Sequence, residues 1–174
     1  SSEPSASVRS LAASCEQFCL ATIHREENTD DPERLQSIIS ALNGIHEEQA
    51  IICPLHPRTR SKLPALKEAP RFKVIDPVGY FDILHLIQNS SIVLTDSGGL
   101  QKESYFFGKP CITLRDQTEW VELPETGTNI IAGADRDVIL SSFELLRDNT
   151  FQPSTELFGD GTAAIKIVEN LLRT

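Results

Sequence analysis

The chain has 174 residues, 40% hydrophobic and 24% charged, which is the make-up of a soluble domain with one core. Asp and Glu number 25 against 16 Lys and Arg, and the resulting net charge of −9 argues against broad nucleic-acid binding, which needs a basic face. No apolar run nears the ~20 residues that span a bilayer and no secretory h-region opens the chain, so the expectation is a cytoplasmic protein with no membrane partner.

In chain order, residues 1–14 read as a polar linker or residual interdomain segment with one helical turn, and 15–174 as a single domain. The apolar run Phe18–Ile23 ends in His24-Arg25-Glu26-Glu27-Asn28. A helix is predicted over Pro32–Asn43, with Asp31 as N-cap, Pro32 at its first position and Glu33 in its first turn. The run Ala50–Leu55 leads to His56, held between Pro54 and Pro57, and a helical pattern over Thr59–Glu68 follows. Next come the run Phe72–Ile75 and a helix over Gly79–Asn89. Ser91–Thr95 is a buried β-branched run that breaks at Asp96-Ser97-Gly98-Gly99. Leu100–Phe107 reads as a helix stopped by Gly108. The runs Cys111–Leu114 and Asn129–Ala132 flank a polar loop, Arg115–Trp120, and a short helix over Glu119–Thr126. Helices over Asp135–Arg147 and Asp160–Leu172 close the chain. Short, nearly continuous apolar runs alternating with helices predict an α/β, Rossmann-like parallel sheet with helices on both faces. In such sheets ligands bind outside the carboxyl ends of the strands, where the His24, His56, Asp96 and Arg115 loops are expected to gather.

Ser97-Gly98-Gly99 places two glycines at a helix N-terminus just past a strand. Free N–H groups and the positive end of the helix dipole collect there, and without Cβ atoms an anion approaches closely. Glu103 lies on the same helix face one turn further in, where a carboxylate repels a phosphate but accepts from a sugar diol. Phosphate at the turn and ribose at Glu103 suggest a nucleotide; the competing reading is a plain strand-to-helix turn. His24-Arg25 suits a phosphate clamp and a proton carrier, against a polar loop whose charges pair with Glu26, Glu27, Asp30 and Asp31. His56 either reaches the same cleft or does not. Arg115-Asp116 and Thr118-Glu119 either reach a sugar or phosphate or form a surface pair and a helix cap. His46 reads as a surface residue at a helix end and His85 as a core-edge residue. The nucleophile pattern G-x-S-x-G is absent around Ser97, as are G-x-x-x-x-G-K-[ST] and G-x-G-x-x-G. The four cysteines, Cys15, Cys19, Cys53 and Cys111, read as free thiols rather than a zinc site.

Taken together, H-R-E-E-N at 24–28, P-L-H-P-R at 54–58, T-D-S-G-G-L-Q-K-E at 95–103, G-K-P at 108–110, R-D-Q-T-E-W at 115–120 and F-G-D-G at 158–161 resemble, in order, the C-terminal half of the non-hydrolysing UDP-N-acetylglucosamine 2-epimerases. The resemblance implies one half of a GT-B-like two-domain enzyme. It implies interconversion of UDP-N-acetylglucosamine and UDP-N-acetylmannosamine by elimination of UDP to a 2-acetamidoglucal and re-addition with C2 inverted, with no cofactor and no metal. Carried over by position, Ser97, Gly98 and Gly99 contact the diphosphate, Glu103 the ribose, and Val78 to Ile83 the uracil. Arg25, Glu27, His56, Arg115 and Trp120 complete the expected binding set, with His24 the one candidate catalytic group.

Ile83 stands where many members have an aromatic residue that stacks on uracil. Thr118-Glu119-Trp120-Val121-Glu122 stands where many have T-E-R-P-E, so an Arg at the phosphate is missing. Relatives acting on other UDP-2-acetamido sugars, uronates included, share the framework, which leaves the sugar open. The family's catalytic acids belong to an N-terminal domain outside this sequence. The expected partners are therefore UDP, a UDP-N-acetylhexosamine and that domain, with a homodimer for the full-length enzyme and no epimerase activity for this chain alone. Two other readings are the donor-nucleotide domain of a GT-B glycosyltransferase and a nucleotide-sugar sensor.

Overall fold

The computed structural model describes residues 3–172; positions 1–2 of the expected linker and 173–174 of the expected domain lie outside the described residues. The chain opens with a two-turn helix, α1 (Ala6–Ala13), where a linker was expected. Ser5 caps it by accepting from the Val8 N–H, and Val8 and Ala12, four apart on one face, are buried. That stripe packs with Phe18, Leu20, Leu86 and Ile87, so this part of the expected linker lies against the core.

The elements then run β1 (Phe18–Thr22), α2 (Glu26–Thr29), α3 (Pro32–Glu48), β2 (Ala50–Pro54), α4 (Pro57–Arg60), a 3₁₀ turn (Leu63–Ala65), β3 (Lys73–Ile75) and α5 (Tyr80–Asn89). They continue as β4 (Val93–Thr95), α6 (Gly98–Phe106), β5 (Cys111–Thr113), α7 (Glu122–Glu125), β6 (Asn129–Ile131), α8 (Arg136–Leu146), α9 (Thr155–Phe158) and α10 (Ala163–Leu172). The strands form one six-stranded sheet, order β3-β2-β1-β4-β5-β6, with every neighbouring pair parallel. This is the doubly wound arrangement that the apolar runs predict. Successive β1 residues face opposite ways: Cys19 and Ala21 join the core under α3 and α8, while Phe18 and Leu20 join the core under α1 and α5. The order reverses between β1 and β4, and a crevice opens there at the carboxyl edge.

Two of the expected helices differ markedly in extent. Helix α3 runs past Asn43-Gly44 to Glu48. Gly44 serves close packing there, since a Cβ would stand 3.1 Å from Leu140 Cδ2 on α8. Asn43 is buried, donating to Glu68 Oε1 at 2.8 Å and accepting from the Arg71 N–H at 2.7 Å. The helix expected over Thr59–Glu68 is only α4 and the 3₁₀ turn. The Lys67 and Glu68 N–H groups bond to the Gln36 side chain instead of to helical carbonyls. Helix α10 buries none of its described residues; Ile165 and Ile167 are each 60% exposed. Among the described residues no helix is long and apolar enough to cross a membrane.

Candidate functional site

The end of β4 places Asp96, wholly buried, in the crevice between β1 and β4. Its carboxylate accepts from the backbone N–H of His24 (3.0 and 3.1 Å), the N–H of Arg25 (2.9 Å) and Nδ2 of Asn28 (3.2 Å). His24 Nδ1 lies 2.9 Å from the same carboxylate. Asn28 also donates to the Leu114 carbonyl at 2.7 Å and accepts from Arg34 Nε at 3.2 Å. One buried carboxylate thus ties together the ends of β1, β4 and β5, and the donors around it offset the cost of its desolvation. With Nδ1 turned to Asp96, Nε2 is the imidazole nitrogen left for a ligand.

Next to this anchor lies a cavity of about 210 Å³. Pro54, Pro77, Val78, Ile83 and Leu100 give it apolar walls; His24, His56 and Ser97 give it a polar end. His56 has a local task as well, since its Nδ1 caps α4 by accepting from the Arg58 N–H at 3.2 Å. A larger hollow of about 590 Å³ lies between α3 and the Ala65–Glu68 turn, and none of the candidate residues lines it.

Ser97 is the N-cap of α6, its Oγ 3.5 Å from the Leu100 N–H. Gly98 and Gly99 form the first turn, and neither has a left-handed φ. They serve close approach instead: a Cβ on Gly98 would stand 3.0 Å from Glu119 Oε2, while one on Gly99 would meet only Ser97 Oγ, at 3.8 Å. Their N–H groups face no protein acceptor among the described residues, as the first amides of a helix do not. One turn on, burial pushes the Glu103 carboxyl up, and a hydrogen bond from the Tyr80 hydroxyl partly counters it. The Glu103 charge in turn raises the Tyr80 phenol.

On the other side of Gly98 the charges alternate. Arg115, only 8% exposed, donates through Nε to Glu27 Oε1 (3.0 Å) and through Nη1 to both Glu119 oxygens (2.7 and 2.8 Å). Arg25 Nη2 lies 3.7 Å from Glu119. The Arg115 hydrogen bond holds the Glu119 carboxyl below its ordinary range, and Glu119 raises Arg115. Trp120 Nε1 donates to the Gly98 carbonyl at 2.7 Å, and Lys102 Nζ lies 4.4 Å over its ring. Asp116 pairs with Arg34 and not with Arg115, and Glu26 and Asp30 pair with Arg58. His46 accepts from the Ile51 N–H at 3.2 Å. Among the described residues no group of three or more His, Cys, Asp or Glu is placed to hold a metal ion.

The fold therefore brings His24, His56, Val78, Ile83 and Ser97 to one cavity. Gly98, Gly99 and Glu103 lie along α6 from its edge, and Arg25, Glu27, Arg115 and Trp120 form a second group against Gly98. Asn28 and Tyr80 were not singled out in the sequence, and Asp96 and Glu119 were named there without the partners found here. An acidic residue at the end of a buried strand, directly before Ser-Gly-Gly, was the available signal for Asp96.

The UDP-N-acetylglucosamine 2-epimerase family profile matches residues 3–172. A UDP-2,3-diacetamido-2,3-dideoxy-D-glucuronate 2-epimerase of Pseudomonas aeruginosa is 52% identical over 162 residues, 92% of this chain and 46% of that protein. A UDP-N-acetylglucosamine 2-epimerase of Methanococcus maripaludis is 40% identical over 166 residues, 90% of this chain and 44% of that protein. The Methanocaldococcus jannaschii UDP-GlcNAc 2-epimerase, solved in complex with UDP-GlcNAc and UDP, superposes with a TM-score of 0.81 at 37% identity, covering 99% of this chain and 50% of that one. The chain spans about half the length of the relatives it matches.

Proposed function

The chain belongs to the UDP-N-acetylglucosamine 2-epimerase family, and from that premise we propose that it is the UDP-gripping half of a two-domain enzyme that inverts C2 of a UDP-2-acetamido sugar. The observation that carries this is the sharing of one cavity by His24, Val78, Ile83 and Ser97 at the N-terminus of α6. Uracil lies on the apolar wall of Val78 and Ile83, the diphosphate on the Gly98 and Gly99 N–H groups, and the ribose hydroxyls donate to Glu103. The reaction removes the C2 proton and breaks the C1–O bond to UDP, giving a 2-acetamidoglucal. UDP then adds back while C2 takes a proton on the opposite face. Elimination and re-addition are redox-neutral, so the scheme has no need of a nicotinamide.

This half acts on the leaving group. Charge builds on the departing diphosphate, and helix N–H groups already pointing at it stabilise that charge without reorganising. His24 Nε2, its ring fixed through Nδ1 by Asp96, donates to the same group. The acids that work at C2 belong to the other half, and the bare apolar residues of α10 fit a chain that packs against another domain. Calorimetric titration of UDP into wild type and Glu103→Ala tests the grip; equal affinity removes Glu103 from the site. Proton NMR of UDP-N-acetylglucosamine in D₂O with this chain alone tests the division of labour. No deuterium should enter C2; its entry, with the manno epimer, would place the catalytic groups in this half.

The 52% identity to a 2,3-diacetamido-glucuronate epimerase favours a second reading of the sugar. On that reading the two-domain protein turns over the diacetamido uronate faster than UDP-N-acetylglucosamine. Turnover of either without an acceptor excludes a glycosyltransferase.

A further inference from the structure

Arg115 presents a problem that its surroundings solve in an unusual place. Its guanidinium is almost wholly enclosed, and an enclosed cation needs anionic partners. Glu27 supplies one through Nε at 3.0 Å. Glu119 supplies the other through Nη1, with its carboxylate directly against Gly98, the first residue of α6. So Glu119 Oε2 lies beside the α6 N-terminus, 3.0 Å from where a Gly98 Cβ would stand, next to Gly98 and Gly99 amides that meet no protein acceptor among the described residues. The two carboxylates are about equally exposed and differ in position: Glu119 lies against Gly98, while Glu27 approaches Arg115 through Nε. Among the described residues Arg115 is the only hydrogen-bond partner drawn to Glu119 from outside its own residue, Arg25 lies further off at 3.7 Å, and half of the Glu119 side chain faces solvent.

We propose that Glu119 is a stand-in for the ligand's phosphate: it neutralises Arg115 and Arg25 while the cleft is empty and swings out to solvent when a nucleoside diphosphate arrives. This rests on the UDP reading given above. Arg115 does not have to move in the exchange. Glu27 and its own burial keep Nη1 in place, so a phosphate oxygen takes over the bond that Glu119 gives up. Phosphate and carboxylate both form short, charge-assisted bonds to a guanidinium, which makes the swap chemically even-handed. Glu119 then acts as a competitor built into the chain. It lowers affinity for UDP, which matters where UDP must leave and return in each cycle, and it keeps the arginines from being left unpaired.

The test is calorimetric titration of UDP into wild type, Glu119→Gln and Glu27→Gln. Both substitutions remove one negative charge from a half-exposed carboxylate beside Arg115. Glu119→Gln should bind UDP roughly fivefold more tightly, the fold-change that corresponds to losing a partly exposed ion pair. Glu27→Gln should bind no more tightly than wild type, because it removes the anchor and not the competitor. Unchanged or weaker binding by Glu119→Gln overturns the proposal, as does equal tightening in both variants, which would be an effect of net charge alone. UDP binding by wild type with no gain in Glu119→Gln defeats only this inference. Binding by none of the three proteins defeats the nucleotide reading and this inference with it.

Discussion

The wholly buried Asp96 carboxylate lies 2.9 Å from Nδ1 of His24 and accepts that residue's backbone N–H as well, so one group fixes both the position and the ring orientation of His24. Asp96→Asn tests it. The amide turns a donor toward groups that are themselves donors, at least one of which stays buried and unpaired. Unfolding in urea should show a loss of about 2–4 kcal/mol. A change within about 0.5 kcal/mol, as for ordinary surface substitutions, would mean the carboxylate is not the anchor described here.

Gly98→Ala separates folding from binding. The backbone there is helical, and the new methyl meets the tip of a flexible side chain, Glu119 Oε2, at 3.0 Å. The melting temperature should therefore hold. UDP affinity should fall roughly tenfold, since the methyl crowds the ligand where its phosphate meets the amides. A stable variant with wild-type affinity would move the phosphate away from this turn.

Glu103 gives a pH signature. Burial raises its pKa in the folded chain above the ordinary 4.5. Its contribution to stability is then fully present below that ordinary value and is lost as pH rises through the folded one. Glu103→Gln escapes the loss, so it should melt about 1–2 °C higher than wild type at neutral pH and show no advantage under acid conditions. Binding runs the other way, because the ribose needs the ionised carboxylate. Uridine, which has no phosphate to titrate, should bind wild type less well as pH falls through the raised value, and Glu103→Gln should lack that limb. An identical pH dependence in both proteins would remove the carboxylate from the ribose.

The thiols predict a labelling pattern. Cys19, Cys53 and Cys111 are at most 2% exposed, and burial pushes each up to about 12, whereas Cys15 is partly open. Iodoacetamide on the native chain should modify Cys15 alone, and all four cysteines once urea is added. Mass spectrometry of the native sample showing adducts on the strand cysteines would mean the sheet opens readily.

The sheet was legible because its inner strands, β1, β2, β4 and β5, are short runs buried almost throughout, so their residues are apolar nearly without a break. Phe18–Ile23 was read for a strand that spans Phe18–Thr22. The α3 extension was not legible, because Gly44 reads as a stop until Leu140 of α8 is seen against it. The short helix at α1 was hidden by its serines, which cap and face solvent while Val8 and Ala12 do the packing. In the site, the α6 residues were legible because they are consecutive. That Asp96 anchors His24 was not, since the two are 72 positions apart and meet only because β1 pairs with β4. Arg115 and Asp116, neighbours in sequence, turn to different partners for the same reason, with Arg34 reaching Asp116 across 82 positions.

Helix α1 has a consequence for the cleft it never touches. The Ser5 amide donates to Asp82 at the start of α5, one residue before Ile83. Pro77 and Val78 line the cavity proposed for the base on one side and a hollow under Ser5, Val8 and Leu11 on the other. The Pro77-Val78 wall of that cavity is thus one layer of side chains thick, and α1 is the splint behind it. A pull on the chain ahead of Ser5 reaches that wall directly. A chain begun at Cys15 would leave Leu86 and Ile87 bared and the wall unbacked, with the phosphate end of the cleft intact.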